Sequence, residues 1–129
     1  MRNTLASTLL AVSIMLIGCG GDSYESMASD SVSYYEEMAS ILEGVSDVES
    51  AKAAAPKLEA VGQKMAELRK RTDALGQPTP EQVKALEEKY TKEMTSAMGR
   101  IGAVARKLAG KPEIEEILEV PMKKFRGGM

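Results

Sequence analysis

Few side chains in this sequence could do chemistry, and a single cysteine is the first of them. Cys19 is the only cysteine among 129 residues, so it forms no internal disulfide and no cysteine-rich zinc site. Histidine, the commonest general base and a common transition-metal ligand, is absent. With no histidine or second cysteine to activate or resolve the thiol, we do not expect Cys19 to be a catalytic or redox residue.

Three pairs of adjacent glutamates suggest a carboxylate metal site of the kind that helical bundles hold. Di-iron bundles, however, use Glu-x-x-His motifs, and this chain has no histidine. Neighbouring residues on a helix also point about 100° apart, so one pair does not converge on one ion. We therefore predict solvated helix faces and no metal. The pairs are Glu36 with Glu37, Glu87 with Glu88, and Glu115 with Glu116.

The methionines offer soft thioether ligands. Met94 and Met98 lie on successive turns of one predicted helix, where they could bind copper(I). Methionine also fills gaps in a core with few aromatic residues, and this chain has one Phe, four Tyr and no Trp. We favour the core role, with copper or an adaptable Met-lined groove for a partner as alternatives. The others considered are Met27, Met38 and Met65.

Two short basic clusters, residues 69–71 and 123–126, are the remaining candidates. The second has the composition to contact anionic lipid headgroups, with Phe125 as an apolar contact, although ordinary solvated side chains are the simpler interpretation. The net charge is −2, and we expect no nucleic-acid binding. The sequence has no phosphate-binding loop and no Ser-His-Asp set, so we expect neither an enzyme nor a cofactor.

The segment before Cys19 is typical of export. Arg2 supplies a positive charge, and residues 5–17 form an apolar run broken only by two serines and a threonine. Such a run has the length of a signal-peptide core and is shorter than the roughly 20 residues that cross a bilayer. The run ends in Leu16-Ile17-Gly18-Cys19.

This ending resembles the lipobox of bacterial lipoproteins, in which small residues precede an invariant cysteine. The resemblance covers residues 1 to about 22 and implies that Cys19 takes a diacylglyceryl thioether. It also implies cleavage after Gly18 and acylation of the new amino terminus. In that family an aspartate after the cysteine retains the protein in the inner membrane, so Gly20 favours the periplasmic face of the outer membrane if the cell has one. The alternative is an ordinary secretory signal with a chance cysteine.

The remainder of the chain is patterned for helices, since apolar residues recur at three- and four-residue intervals. Asp22 or Ser23, with Glu25, predicts the start of the first helix, and Ser46-Asp47-Val48-Glu49 predicts the start of the second. Thr79, Pro80 and Gln82 predict the start of the third. The predicted helices are about 23–43, 47–75 and 80–108, followed by a weak C-terminal helix over about 113–125.

The lengths and connections of these helices predict an all-α fold. The second and third helices are equally long and joined by a short turn, so they should form an antiparallel hairpin. The first helix should complete a small three-helix bundle or a coiled-coil-like assembly. Pro56 should bend or break the second helix. Pairing Leu75 with Pro80 places Pro56 opposite Gly99, with Gly102 one turn further along, and predicts that these glycines admit an irregular backbone.

Charge is distributed unevenly along the chain. Residues 22–49 carry eight acids and no base, residues 50–75 carry six bases and three acids, and residues 76–111 carry seven bases and four acids. We therefore expect the acidic first helix to pack against the basic hairpin of its own chain, because complementary charges orient neighbouring elements. In the alternative, the basic hairpin faces anionic headgroups or a polyanion.

The predicted organisation is a cleaved signal peptide over residues 1–18, a lipidated cysteine and short tether over 19–22, a helical domain over 23–126 and a disordered tail over 127–129. The tether spans at most about 17 Å, which keeps the helical domain close to the membrane. We expect a membrane-anchored envelope lipoprotein that binds, scaffolds or spaces without catalysis. It would engage a protein partner or a second copy through its apolar stripes.

The main alternative is a chaperone-like or apolar-ligand-binding helical protein. Residues 78–82 loosely resemble turns of small helical periplasmic chaperones. A spacer linked to peptidoglycan is a further alternative, but the family of such spacers attaches through a C-terminal lysine, and this chain ends Arg126-Gly127-Gly128-Met129.

Overall fold

The computed structural model describes residues 23–127 and contains four helices and no strand in that range. The all-α class is confirmed, and the weak C-terminal segment is a helix of 16 residues that includes Gly127, which the sequence assigned to the tail. The predicted signal peptide, Cys19, its tether and residues 128–129 lie outside the described residues. The helices are α1 Tyr24–Glu43, α2 Val48–Leu75, α3 Pro80–Leu108 and α4 Pro112–Gly127.

Reciprocal capping boxes begin the first three helices, and each satisfies backbone N–H groups that have no partner inside the helix. At α3 the box is the predicted one, because the backbone N–H of Thr79 donates to Gln82 Oε1 at 2.9 Å and the N–H of Gln82 donates to Thr79 Oγ1 at 3.2 Å. α2 ends at Leu75, and the next residue, Gly76, has a φ of +80°, a conformation that glycine adopts readily.

The other two boxes differ from the predicted ones in their residues. In α2 the cap is Asp47, whose Oδ1 accepts from the N–H of Ser50 at 2.7 Å, while Ser50 Oγ accepts from the N–H of Asp47 at 3.0 Å. In α1 the cap is Ser23 and its partner is Ser26. The predicted partners were glutamates, but a serine hydroxyl at the third helical position makes the same reciprocal bond and lies closer to the backbone.

The helices run up, down, up and down, and α1 and α2 form the central pair. The main contacts are α1 with α2, α1 with α3, and α2 with α4. Tyr24, the first residue of α1, lies beside Leu75, the last residue of α2, so these two helices are antiparallel. α2 and α3 are therefore the predicted consecutive antiparallel helices, but they do not form a main packed pair: α2 packs against α4 and α1, and α3 packs against α1.

The predicted pairing of Pro56 with glycines of α3 is wrong. A Cβ added at Gly99 would meet nothing within 4 Å, and one at Gly102 would meet only Arg106 of its own helix. Pro56 is itself exposed, and α2 continues through it without a break. The close approach in the structure is instead at Gly62, where an added Cβ would lie 3.8 Å from the backbone nitrogen of Phe125 in α4.

The core is apolar throughout, and all four helices contribute residues to its main buried cluster. Val45 and Ala51 are almost fully buried beside the α1–α2 turn, and no polar or charged residue is buried among residues 23–126. Small side chains allow close helix approach in a chain that is poor in aromatic residues. The buried core residues are Met38, Leu42, Val45, Ala51, Ala54, Leu58, Val61, Val104, Leu108, Ile114, Leu118 and Phe125.

The acidic helix α1 pairs with bases on both of its neighbours, which confirms the expectation of an internal charge match. The side chains involved stay between about 40% and 60% exposed, and pairs of that kind contribute about 0–1 kcal/mol each. Their main effect is therefore on helix orientation. The pairs are Glu37–Lys64 and Asp30–Arg71 to α2, and Glu25–Lys89 and Glu43–Arg100 to α3.

Candidate binding groove

An open groove of about 590 Å³ lies between α3 and α4. These two helices are joined by a short turn but do not form one of the main packed pairs. The bottom of the groove is Leu42 of α1, a core residue. The groove therefore reaches down to the core on the side of the bundle where α3 and α4 do not pack closely together.

The α3 wall of the groove is entirely apolar. It consists of Ile101, Val104, Ala105 and Leu108, whose spacing of three and four residues places them on one helix face. Val104 and Leu108 are buried, Ile101 is half-buried and Ala105 is exposed. No charged side chain of α3 is among the residues that line the groove.

The α4 wall combines apolar and charged side chains. Leu118 and Met122 give apolar surface, while three carboxylates line the half of the groove nearest the α3–α4 turn. Arg126 lines the opposite end, so charge changes sign along the wall. The three carboxylates are Glu115, Glu116 and Glu119.

Glu119 is the carboxylate of this wall that has a partner on the same helix. Lys123 Nζ lies 2.7 Å from Glu119 Oε1, one turn away. The hydrogen bond and the positive charge of Lys123 lower the pKa of Glu119. The side chain is therefore a carboxylate at neutral pH, and the groove keeps its negative charge.

Two of the glutamate pairs considered from the sequence lie in different environments. Glu115 and Glu116 both line the groove, whereas Glu37 of another pair makes an ion pair with Lys64. Within residues 23–127, no group of three or more acidic, cysteine or histidine side chains is placed to hold a metal ion.

The methionines separate into core and surface positions. Met27 and Met38 are buried, which confirms the core role for those two. Met98 is 50% exposed, and neither it nor Met94 lines the groove. Met122 is the one methionine among the residues that line the groove, and it was not one of those considered from the sequence.

The second basic cluster has its side chains engaged within the chain. Phe125 is 7% exposed and packs edge-on against Tyr35, with 5.5 Å between ring centroids, so it is not available as an apolar membrane contact. Lys124 pairs with Glu59 of α2. The alternative that assigned Phe125 to a lipid surface is therefore wrong, because that ring closes the α1–α2–α4 core.

The groove itself was not predicted from the sequence. A usable signal was present, because Glu115, Glu119, Met122 and Arg126 recur at intervals of four, three and four residues and so share one face of α4. The purely apolar stripe of Ile114, Leu118 and Phe125 is the stronger pattern in this segment, and it packs into the core. It gives no sign of the mixed face beside it.

No protein-family model matches the sequence, and no characterised protein or solved structure matches it significantly. No helix within residues 23–127 has the length and apolar character needed to cross a membrane.

Proposed function

We propose that this protein is a lipid-anchored helical lipoprotein of the bacterial envelope, which binds, scaffolds or spaces a partner without catalysis. The observation that carries the proposal is the sequence Leu16-Ile17-Gly18-Cys19 after an export-type apolar run. Each methylene of an attached acyl chain contributes about 0.8 kcal/mol of membrane binding, and two chains suffice for a stable anchor.

The helical domain supports a role close to the membrane. α1 begins at Tyr24, only five residues after Cys19. Because α1 has 20 residues and rises about 1.5 Å per residue, its far end lies roughly 30 Å from its start. Leu42 is near that far end. With α1 perpendicular to the membrane surface, the part of the groove beside Leu42 would lie away from the lipid and open to the surrounding compartment.

A second candidate function is the binding of apolar ligands or unfolded chains in the manner of a chaperone. The observation that favours it is the groove, which opens onto the apolar α3 wall and leaves Ile101 and Ala105 of that wall partly accessible. A chaperone of this kind would accept many clients of little sequence in common, whereas a scaffold would retain one partner.

The anchor is tested by mass spectrometry of the protein purified from membranes of the producing cells. We expect an amino terminus at Cys19 with added diacylglyceryl and acyl mass, labelling by palmitate, and release into the soluble fraction on Cys19→Ser. Gly21→Ser is the matched control, because it changes the tether without touching the lipobox. A soluble wild-type protein, or a mature terminus elsewhere, would refute the proposal.

The scaffold and chaperone roles are separated by affinity capture from native membranes, with Cys19→Ser in parallel. A single reproducible partner that is lost with the anchor supports the scaffold. Diverse clients captured equally by both forms, together with suppression of aggregation of a denatured client at substoichiometric amounts, support the chaperone.

A further inference from the structure

We propose that the groove between α3 and α4 is the docking site for one amphipathic helix of a partner protein, with basic residues along one flank. The inference deepens the proposed binding role but does not depend on the lipid anchor. It follows from the shape of the groove and from the distribution of charge along its walls.

The shape suits a helix. The bundle closes through α1–α2, α1–α3 and α2–α4, and the side between α3 and α4 is the one that holds the groove. A helix in this position would lie between two antiparallel helices, with Leu42 beneath it. Docking of an amphipathic helix by its apolar face into an apolar groove is a recurring mode of peptide recognition.

The charges select the partner's chemistry. All three carboxylates lie on the α4 wall, and the α3 wall contributes none, so an incoming helix meets negative charge along one flank only. Lysine or arginine on that flank would complement Glu115 and Glu116, while the opposite flank should be apolar to match Ile101 and Ala105, the accessible residues of the α3 wall. Anionic apolar molecules, including fatty acids, would meet like charge in the half of the groove that holds Glu115 and Glu116, and only Arg126 at the opposite end could pair with them.

The same charges set the direction of the bound helix. Its amino-terminal end carries the positive end of the helix dipole and should lie near Glu115 and Glu116. Its carboxyl-terminal end should then lie near Arg126, so the helix runs parallel to α4 and antiparallel to α3. The chain's own basic cluster is a poor occupant, because Lys123 and Lys124 already pair with Glu119 and Glu59.

The probe for this site is a synthetic helical peptide of about 14 residues, roughly 21 Å long, which matches the lining face of α4. It carries leucines at three- and four-residue spacing, lysines on one flank and a fluorescent label. Its counterpart has glutamate in place of every lysine. Binding to the full-length protein, held in lipid nanodiscs when it is membrane-bound, is measured by fluorescence anisotropy. We expect the lysine peptide to bind at least about tenfold tighter.

Two pairs of variants test the position of the site. Ala105→Leu fills the groove from an exposed position, and Ala103→Leu is its control on the exposed outer side of α3. Glu115→Lys/Glu116→Lys reverses the wall charge, and Glu87→Lys/Glu88→Lys makes the same net change elsewhere. We expect each groove variant to weaken the lysine peptide about tenfold and each control to leave it unchanged, with equal thermal unfolding within each pair.

Several outcomes would overturn the docking proposal without bearing on the anchor. Equal binding of the two peptides would indicate chaperone-like apolar capture. Equal losses in the groove variants and their controls would indicate a general charge effect. A dimer that Ala105→Leu dissociates would assign the groove to a second copy of the chain. Because peptide binding is independent of acylation, loss of the Cys19 lipid leaves the expected affinities unchanged.

Discussion

The hydroxyl of Tyr24 lies 2.9 Å from the backbone carbonyl oxygen of Leu75, to which it donates, and 2.8 Å from that of Gly76. This contact joins the first residue of α1 to the last residue of α2. The other end of the same helix pair is closed by the turn between Gly44 and Asp47. The α1–α2 pair is thus fixed at both ends, and α3 and α4 pack on its two sides.

Tyr24→Phe should lower the free energy of unfolding by about 1 kcal/mol, because it removes the hydroxyl and leaves two carbonyl oxygens without this donor. Urea unfolding followed by circular dichroism measures the change. Tyr34→Phe is the matched control, because the hydroxyl of this half-buried ring makes no hydrogen bond within residues 23–127 and phenylalanine keeps the ring that Lys64 contacts. An equal loss in both variants would mean that the ring environment, and not the hydrogen bond, carries the effect.

Asp47 should make stability depend on acid pH. Hydrogen bonds from the side chain and backbone of Ser50 lower the pKa of Asp47 below its ordinary value of 3.8. A lowered pKa in the folded state means that the carboxylate stabilises the fold at pH above 3.8 and that this contribution is lost as pH falls through the folded-state pKa.

The variant that tests this dependence is Asp47→Asn, which retains a capping side chain and removes the titration. We expect its free energy of unfolding to fall less steeply than that of the wild type on acidification below pH 4, in urea titrations at a series of pH values. Ser50→Ala should flatten the wild-type profile in the same direction. A wild-type slope that survives Asp47→Asn would assign the acid sensitivity to other carboxylates.

Local structure was largely predictable, because helix position follows from apolar spacing and from cap residues that act within one turn. The pairing of the helices was less predictable, because an apolar stripe shows which face of a helix is buried but not which neighbouring helix covers it. In α1 the predicted core role of Met27 and Met38 is confirmed, and Val32, Ala39 and Leu42 are also buried. That wider apolar face packs against both α2 and α3, and its width was the available sign that two helices cover α1.

Gly99→Ala should raise the free energy of unfolding by about 1 kcal/mol, because Gly99 is exposed in the middle of α3 and an added Cβ meets nothing within 4 Å. Gly76→Ala should have the opposite sign, since Gly76 has a φ of +80° that alanine adopts at a cost. Thermal and urea unfolding of both variants provide the comparison. A loss of stability in Gly99→Ala would restore the predicted close packing at that position.

The ion pair between Glu37 and Lys64 should contribute little to stability. The atoms lie 2.9 Å apart, but the side chains are 42% and 47% exposed. A double-mutant cycle with Glu37→Gln and Lys64→Gln should give a coupling energy of about 0.2–1 kcal/mol that falls as salt is added. A larger, salt-independent coupling would show that the pair acts as a buried interaction, and the cation–π contact of Lys64 with Tyr34, at 5.7 Å, would then be the next contact to test.

Gly20→Asp should move the protein from the outer to the inner membrane of a diderm host, because the lipoprotein resemblance makes an acid directly after the modified cysteine a retention signal. The two membranes are separated on a sucrose gradient, and the protein is followed by immunoblot. Gly21→Asp is the matched control: it adds the same charge one residue later and should leave the protein in the outer membrane. A wild-type protein found in the inner membrane would contradict the assignment based on Gly20. Equal redistribution of both variants would show that added negative charge near the tether, and not the residue after Cys19, determines sorting.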